Sequence, residues 1–363
     1  MKTSFSLCGQ EIRPNLFLSP MHGVSDGSFR RSLQRLCAGR IPLFVSEFVS
    51  VDQIKMRVPR EMEMMEHSPE ENVFGIQIFG SDIDDLVNGA LVAQNEYGAQ
   101  FVELNCGCPA PNVVRRGGGS GLLKELPHLQ NILHALRKNV TVPLTMKVRL
   151  GWDSEQIVVN QTVKMAQEEG LDLFVIHGRT RVQGYKGFAD WNHIAEAKSK
   201  STIPIVGNGD ILSIEDALMR LKTAELDGVS IGRGAMHNPW IFKQMADFVD
   251  GKPIQIPEFK DQVEFFEIFI DELTKTGFSG TRLMGRLKQL SARILKCFNH
   301  PEMADLRALV LRSTTPEEFW SLLYNFNESC IKSGILMTFD PSPVENLNGK
   351  GTNIVEEGQD YKR

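Results

Sequence analysis

The chain has 363 residues, of which 42% are hydrophobic and 23% charged, and this composition excludes a largely disordered protein and corresponds to about two globular domains. The formal net charge of −5 carries no global signature of nucleic-acid binding, so a polyanion would need a local basic patch. No stretch approaches the roughly 18 uninterrupted apolar residues of a membrane span, and the N-terminus does not resemble a signal peptide, so we expect a cytoplasmic protein that contacts no membrane.

Short apolar or β-branched runs recur along the first 231 residues, and stretches with helical periodicity lie between them. The eight predicted strands span 16–19, 42–46, 73–79, 100–104, 143–148, 171–176, 203–206 and 227–231, and the clearest helices span 83–94, 129–138, 158–169 and 214–222. Strand followed by helix, eight times over about 250 residues, predicts a (β/α)8 TIM barrel. A doubly wound open sheet is the main alternative, and it is disfavoured because no Gly-x-Gly-x-x-Gly follows the first strand.

A shift in composition separates this α/β region from the rest of the chain. Gly and Pro concentrate at 250–257, where the strand pattern stops, so we predict a barrel domain at 1–250. Several helices and no strand follow, which predicts a small all-α helical bundle at 258–335. The polar residues 340–363 predict a disordered tail.

The ends of the predicted strands carry polar residues and glycines. Since catalytic groups of a TIM barrel project from the carboxyl ends of its strands, these are candidate site residues. They comprise Pro20, Met21, Gln77, Asn105, Lys147, Arg149, His177, Arg179, Asn208, Gly209, Asp210, Gly232 and Arg233. The glycines after the last two strands favour a phosphate site over simple tight turns, because they let backbone N–H groups approach a phosphate.

The other candidates have a structural alternative to a functional role. Lys147 interrupts an apolar strand and must face the barrel mouth or be paired, because a buried lone ammonium is costly. Gln77 and Asn105 are inward amides that either bind a heterocycle or satisfy a structural hydrogen bond.

The six cysteines are scattered, which indicates reduced thiols rather than a disulfide framework. Cys106 and Cys108 form a C-x-C pair without the second pair that a metal site needs, so we predict no metal. A cysteine in a glycine-rich loop could act as a nucleophile or as a proton donor. An inert buried thiol is the alternative, and it suits Cys106 better than Cys108.

The string Glu103-Leu104-Asn105-Cys106-Gly107-Cys108-Pro109, together with the glycine loop that begins at Gly117, strongly resembles the tRNA-dihydrouridine synthases. The resemblance covers nearly the whole chain. It includes Ser19-Pro20-Met21, Gln77-Ile78-Phe79-Gly80, Lys147-Val148-Arg149, His177-Gly178-Arg179-Thr180, Asn208-Gly209-Asp210 and Gly232-Arg233-Gly234. Ser19 and His22 depart from the residues that usually flank Pro-Met in the family.

The resemblance implies an enzyme that uses FMN, reduced by NADPH, to saturate the C5–C6 bond of particular uridines in tRNA. Hydride would pass from FMN N5 to uracil C6, and Cys108 would be the catalytic residue that gives a proton to C5. The implied FMN contacts are Pro20, Met21, Gln77, Lys147, His177, Asn208, Gly209, Asp210, Gly232 and Arg233. The implied substrate contacts are Asn105, Arg149 and Arg179 in the barrel and Arg282, Arg286 and Arg293 in the helical region.

A uridine inside folded tRNA must be flipped out to reach a barrel mouth, so the protein needs a surface that binds phosphates. Residues 282–312 contain seven Lys or Arg and two acids, a local charge of +5. Arg282, Arg286, Arg293 and Lys296 share one helical stripe. Such a stripe alone is more often a solvated face, and the resemblance favours tRNA binding.

Two other functions remain open at this point. An FMN barrel that oxidises or reduces a free pyrimidine would share the flavin site but need no basic helical region. An RNA-binding protein without turnover would not need Cys108, Lys147 and His177 together. The sequence does not indicate which uridine is modified or whether NADH replaces NADPH, and the resemblance suggests a monomer.

Overall fold

The chain begins with a small antiparallel hairpin that precedes the barrel. A computed structural model describes residues 1–340, so the tail predicted at 340–363 lies outside the described residues from position 341 onward. Strands β1 (Phe5–Leu7) and β2 (Gln10–Ile12) pair with each other and pack among the apolar side chains at the amino-terminal end of the barrel. The sequence analysis missed this hairpin, because runs of three residues are too short to show an alternating pattern.

Eight parallel strands form a nearly closed barrel, and a further strand of two residues pairs with one of them. The strands are β3 (Leu16–Leu18), β4 (Leu43–Val45), β5 (Val49–Ser50), β6 (Val73–Phe79), β7 (Phe101–Cys106), β8 (Leu144–Arg149), β9 (Leu173–His177), β10 (Ile205–Asn208) and β11 (Gly228–Ile231). Parallel ladders join seven neighbouring pairs, and β3 and β4 lie side by side without a ladder between them. The predicted parallel barrel is therefore confirmed, and the open-sheet alternative is wrong.

Helices alternate with the barrel strands and continue beyond the last one. Through the barrel they are α1 (Gly27–Leu36), α2 (Val51–Lys55), α3 (Pro59–Met64), α4 (Ile83–Asn95), α5 (Pro111–Arg115), α6 (Leu126–Asn139), α7 (Val159–Glu168), α8 (Trp191–Ser199), α9 (Ile214–Thr223), α10 (Arg233–His237) and α11 (Ile241–Val249). A C-terminal helical region follows with α12 (Phe259–Lys275), α13 (Gly280–Ile294), α14 (Met303–Arg312) and α15 (Pro316–Lys332). Short 3₁₀ helices lie at Gly119–Lys124 and Leu295–Cys297.

The helical region packs against the barrel on the side of α1 and α10. Helix α12 lies along α1, where Glu272 accepts hydrogen bonds from Arg31 at 2.8 Å and Arg35 at 2.7 Å. Within the helical region, aromatic side chains such as Phe266 and Phe319 pack edge to face. Among residues 1–340, no helix is long and apolar enough to cross a membrane.

The barrel interior is apolar at the amino-terminal end of the strands and polar at the carboxyl end. Phe17, Phe101, Val175 and Val206 fill the amino-terminal end together with the hairpin. Register places Gln77 beside Glu103, Glu103 beside Thr145, and Asn105 beside Lys147. Because side chains two residues apart on a strand share a face, these polar groups form consecutive layers that rise toward the mouth. The fold therefore gathers them where a TIM barrel carries its active site.

Candidate active site

Four cationic side chains converge at the barrel mouth around His177. Burial lowers the pKa of His177 well below its usual value, and the charges of Arg149, Lys147, Arg179 and Arg233 lower it further. Register places Arg149 beside His177 on the neighbouring strand, and Arg179 Nη1 lies 3.5 Å from His177 Nε2. Asp210 forms ion pairs with Arg179 and Arg233, and the buried Glu103 carboxylate acts electrostatically on Lys147. The mouth therefore carries an excess of positive charge.

A chain of hydrogen bonds links a buried carboxylate to the loop of Cys108. Gln77 Nε2 donates to Glu103 Oε1 at 2.6 Å, and Asn105 Nδ2 donates to Gln77 Oε1 at 2.7 Å. Asn105 Oδ1 then accepts from the backbone N–H groups of Gly107 at 3.0 Å and Cys108 at 2.9 Å. Both predicted amides thus hold each other and the loop, and each keeps a second N–H for a ligand.

The loop that carries Cys108 is fixed from its other side by Ser120. The carbonyl of Cys108 accepts hydrogen bonds from the backbone N–H of Ser120 at 3.0 Å and from its hydroxyl at 2.9 Å. The intervening Gly119 has a φ of +57°, and a Cβ there would lie 2.7 Å from the Cys108 carbonyl oxygen. Only glycine allows this close approach, which explains one glycine of the run that follows the cysteines.

The thiol of Cys108 is held in its protonated form. Burial raises the pKa of Cys108 above its usual value, although the Ala110 N–H and the charges of Arg149 and Lys147 act in the opposite direction. A thiol with a raised pKa is a proton source at neutral pH and a poor nucleophile. Cys106 is fully buried in the core, and burial also raises its pKa, so it matches the inert thiol. The predicted role of Cys108 as a proton donor stays a prediction.

Lys147 presents an ammonium group with no hydrogen-bond or ion-pair partner among residues 1–340. Burial lowers the pKa of Lys147 to about 8, while the nearby Glu103 carboxylate raises it. Lys147 is half-buried, and an unpaired ammonium that is largely removed from water is costly unless a ligand satisfies it. Lys147 is therefore the clearest candidate in the mouth for contact with a bound ring.

Arg149 connects loops that close the mouth. Its Nε donates to the carbonyl of Gly107 at 2.8 Å, and its Nη1 donates to the carbonyls of Thr180 and Gly184, both at 2.8 Å. Burial lowers the pKa of Arg149 to about 10. These three hydrogen bonds use three of the five N–H groups of the guanidinium. Arg149 therefore holds the Cys108 loop against the loop after β9. A direct substrate contact stays a prediction.

Arg179 is fully buried and holds the same loop together from inside. Its Nη2 donates to both carboxylate oxygens of Asp210, at 2.8 and 2.7 Å, and to the carbonyl of Gly187 at 2.5 Å. Asp210 also accepts from Arg233 Nη2 at 3.0 Å. Arg179 therefore holds the loop after β9 to Asp210, and its predicted contact with substrate stays a prediction.

The turn after β10 places the Asp210 carboxylate beside Arg179 and Arg233. Gly209 has a φ of +132°, and a Cβ there would lie 2.6 Å from Ala189 Cβ. Asp210 itself adopts a φ of +51° and accepts from the Ala189 N–H at 2.7 Å. Two consecutive residues with positive φ make the sharp turn, which only a glycine at the first position allows.

The remaining predicted cofactor residues lie at the ends of β3, β10 and β11. A Cβ on Gly232 would lie 3.4 Å from Met21 Sδ, so the Pro20-Met21 segment packs against the start of α10. Asn208 Nδ2 donates to the carbonyl of Ser230 at 2.7 Å. The three strand ends that carry these residues, β3, β10 and β11, are hydrogen-bonded neighbours in the barrel. The predicted phosphate side is therefore contiguous.

The three predicted arginines of the helical region differ in their surroundings. Arg282 is exposed and stacks over Phe278 at 4.7 Å. Arg286 points to the barrel, where it donates to the carbonyls of Gly23 and Val24 and pairs with Asp26 at 2.9 Å. These bonds occupy its guanidinium, so we assign Arg286 to the contact between α13 and the barrel. Arg293 is half-buried, and its Nη1 donates to the Gln289 carbonyl at 2.8 Å.

Two residues of the site, Glu103 and Tyr185, have no role predicted from the sequence. Glu103 was visible as an acid in an otherwise apolar strand, which is the signal that a buried carboxylate leaves. Tyr185 lies beneath Arg233, whose guanidinium is 4.8 Å from the ring centre, and near Arg149 at 5.6 Å. Within residues 1–340, no group of three or more His, Cys, Asp or Glu could hold a metal ion.

The chain is similar to known proteins over most of its length. A family model described as "Dihydrouridine synthase (Dus)" matches residues 17–333. tRNA-dihydrouridine synthase B of Xanthomonas campestris pv. campestris is 32% identical over 334 residues, which cover 88% of this chain and 95% of that protein. tRNA-dihydrouridine synthase B of Pseudomonas putida is 37% identical over 254 residues, which cover 70% of this chain and 74% of that protein.

A solved structure is similar to the barrel at the level of fold. Histamine dehydrogenase from Rhizobium sp. 4-9 superposes with a TM-score of 0.50 and 14% sequence identity. The match covers 73% of this chain and 50% of that one, so the chain spans half of the dehydrogenase. At this level of identity the likeness concerns the fold alone.

Proposed function

The chain belongs to the dihydrouridine synthase family, and from that premise we propose that it reduces particular uridines of tRNA to 5,6-dihydrouridine, with FMN as its cofactor and NADPH as its reductant. The enzyme class, an oxidoreductase that acts on tRNA, follows from the family and its named members. The monomeric state and the cytoplasmic location stay predictions.

The excess of positive charge at the barrel mouth is the observation that carries the cofactor assignment. Lys147, Arg149, Arg179 and Arg233 surround His177, and only part of their charge is balanced by Glu103 and Asp210. A buried excess of cations is stabilised by an anionic ligand. FMN fits, because its phosphate suits the segment from Gly232 and Arg233 and its ring suits the unpaired Lys147 ammonium.

The reduction of uracil needs a hydride, a proton and groups that position the ring, and different groups at the barrel mouth supply them. The flavin, when bound and reduced, supplies the hydride. Cys108, whose raised pKa keeps its thiol protonated, supplies the proton that goes to uracil C5. Lys147 provides positive charge at the ring, and Arg149 holds the Cys108 loop against the loop after β9. Asn105 keeps a free N–H that suits a pyrimidine carbonyl.

A direct test combines the spectrum of the purified protein with its reaction on tRNA. We expect a yellow protein that forms dihydrouridine, detected by mass spectrometry, from NADPH and tRNA lacking the modification. A protein that binds no flavin, even after incubation with FMN, would contradict the cofactor assignment. A yellow protein that spares tRNA but turns over a free pyrimidine would contradict the substrate assignment.

The charge of Lys147 sets an expected pH dependence. Because the pKa of Lys147 is lowered to about 8, its ammonium is charged below that pH and neutral above it. The rate of uridine reduction by the reduced enzyme should therefore be constant at neutral pH and fall as the pH rises through about 8. Single-turnover rates across the alkaline range measure this, with Lys147→Met as the variant that should lack the step. A rate that stays constant well above that pH would contradict a role for the charge.

The exposed Arg282 on α13 should bind the tRNA backbone. Replacing Arg282 with alanine should weaken tRNA binding and reduce the dependence of log Kd on log salt by about one unit, because one phosphate contact is lost. Reduction of the bound flavin by NADPH should not change. The matched control is Lys260→Ala, which removes an exposed charge from α12 that is paired with Glu258 at 2.6 Å. Equal salt dependence in both variants and the wild type would remove Arg282 from the RNA surface.

A further inference from the structure

We propose that Glu103 is a positioning residue for this reaction: it accepts the hydrogen bond at the start of the amide chain that fixes the Cys108 loop, and its carboxylate acts electrostatically on Lys147. The inference rests on the proposed function. Glu103 is 1% exposed in the middle of β7, between Val102 and Leu104. Burying an acid there costs free energy that an apolar residue would not, so packing alone does not account for it.

The hydrogen bonds that lead from Glu103 to the Cys108 loop all run in one donor-to-acceptor direction. A carboxylate only accepts hydrogen bonds, so Gln77 must turn its NH2 group toward Glu103 and its carbonyl oxygen toward Asn105. Asn105 must then turn its own NH2 group to Gln77, which leaves its oxygen facing the backbone N–H groups of Gly107 and Cys108. An acceptor at one end and backbone donors at the other leave both amides a single orientation.

The charge of Lys147 also depends on Glu103. The groups around its ammonium are Glu103 from β7, Cys108 from the loop after β7, Arg149 from its own strand and His177 from β9. Arg149 disfavours the ammonium form, and the pKa of His177 is so low that its ring is neutral. Among the described residues, Glu103 is the carboxylate that acts on Lys147, and burial raises its own pKa to about 7.

Two substitutions separate these roles. Glu103→Gln keeps a carbonyl acceptor of the same length and removes the charge, whereas Glu103→Leu removes both. The control is Ser230→Ala, which changes a buried side chain of β11 whose hydroxyl has no hydrogen-bond partner among the described residues. The holoenzymes are compared by single-turnover reduction of tRNA across pH and by the alkylation rate of Cys108 with iodoacetamide.

We expect Glu103→Leu to lower the single-turnover rate by about 10²-fold, as for a misplaced catalytic group, and to change the alkylation rate of Cys108. Glu103→Gln should alkylate at the wild-type rate and retain most of its turnover near neutral pH. Its alkaline fall in rate should begin at lower pH, because Lys147 releases its proton more readily without the carboxylate.

Two results would overturn the inference. One is wild-type turnover and alkylation in Glu103→Leu, and the other is a Glu103→Gln variant as impaired as Glu103→Leu with its alkaline limb unmoved. If Glu103→Leu does not fold, the Glu103→Gln profile and its alkylation rate still decide. Wild-type protein that forms no dihydrouridine would refute the proposed function instead, and the alkylation comparison would still report on the chain of hydrogen bonds.

Discussion

Replacing Cys108 with alanine should reduce dihydrouridine formation by about 10²–10⁴-fold, the usual contribution of a positioned general acid. In the proposed mechanism the Cys108 thiol, whose pKa burial raises, donates the proton, and alanine has no proton to donate. Binding of tRNA and reduction of the flavin by NADPH should be preserved, because the loop is held by backbone groups of Cys108 that alanine retains. Stopped-flow spectroscopy of the two half-reactions measures each step separately.

The matched control for this prediction is the second cysteine of the pair. Cys106 is fully buried in the barrel wall, so Cys106→Ala should leave the rate of uridine reduction close to that of the wild type. Equal loss in both variants would indicate that the substitutions disturb the loop and that neither thiol donates a proton. Unchanged activity of Cys108→Ala would move the proton donor elsewhere in the mouth.

The fold was readable from the sequence because parallel strands buried on both faces leave continuous apolar runs. The run at 73–79 corresponds to β6 without error, and the run at 100–104 ends two residues early because the polar Asn105 interrupts its apolar pattern. The family was also predicted correctly, since the cysteine motif and its glycine loop are specific. The site residues themselves stay predictions.

What the sequence could not reveal is which polar groups satisfy one another. Arg179 and Asp210 are 31 positions apart, and only the closed barrel brings them into contact. Arg286 belongs to a basic stripe by its spacing, yet its guanidinium reaches the loop at 23–26 of the barrel. Helical periodicity identifies the face of a helix and does not tell whether that face meets solvent or another part of the chain.

Replacing Arg179 with methionine should destabilise the protein by about 3–5 kcal/mol, the usual effect of removing one partner from a buried ion pair. Arg179 is fully buried, and Asp210 would keep Arg233 as its remaining cationic partner. The carbonyls of Lys186 and Gly187 would also lose their donor, so the loop after β9 that carries Tyr185 should become more susceptible to proteolysis. Urea denaturation of the holoenzyme gives the change in free energy of unfolding.

The matched control for Arg179→Met is the same substitution in an exposed ion pair, Arg57 with Glu96. It separates a structural role of Arg179 from a contact with substrate. Arg57 and Glu96 are 55% and 44% exposed, so Arg57→Met should leave the free energy of unfolding close to that of the wild type. If Arg179 instead binds substrate, Arg179→Met should unfold at the wild-type urea concentration and raise KM for tRNA alone. A large loss of stability with faster cleavage of the loop would assign Arg179 to the framework, because a residue that only contacts tRNA contributes nothing to the folding of the free enzyme.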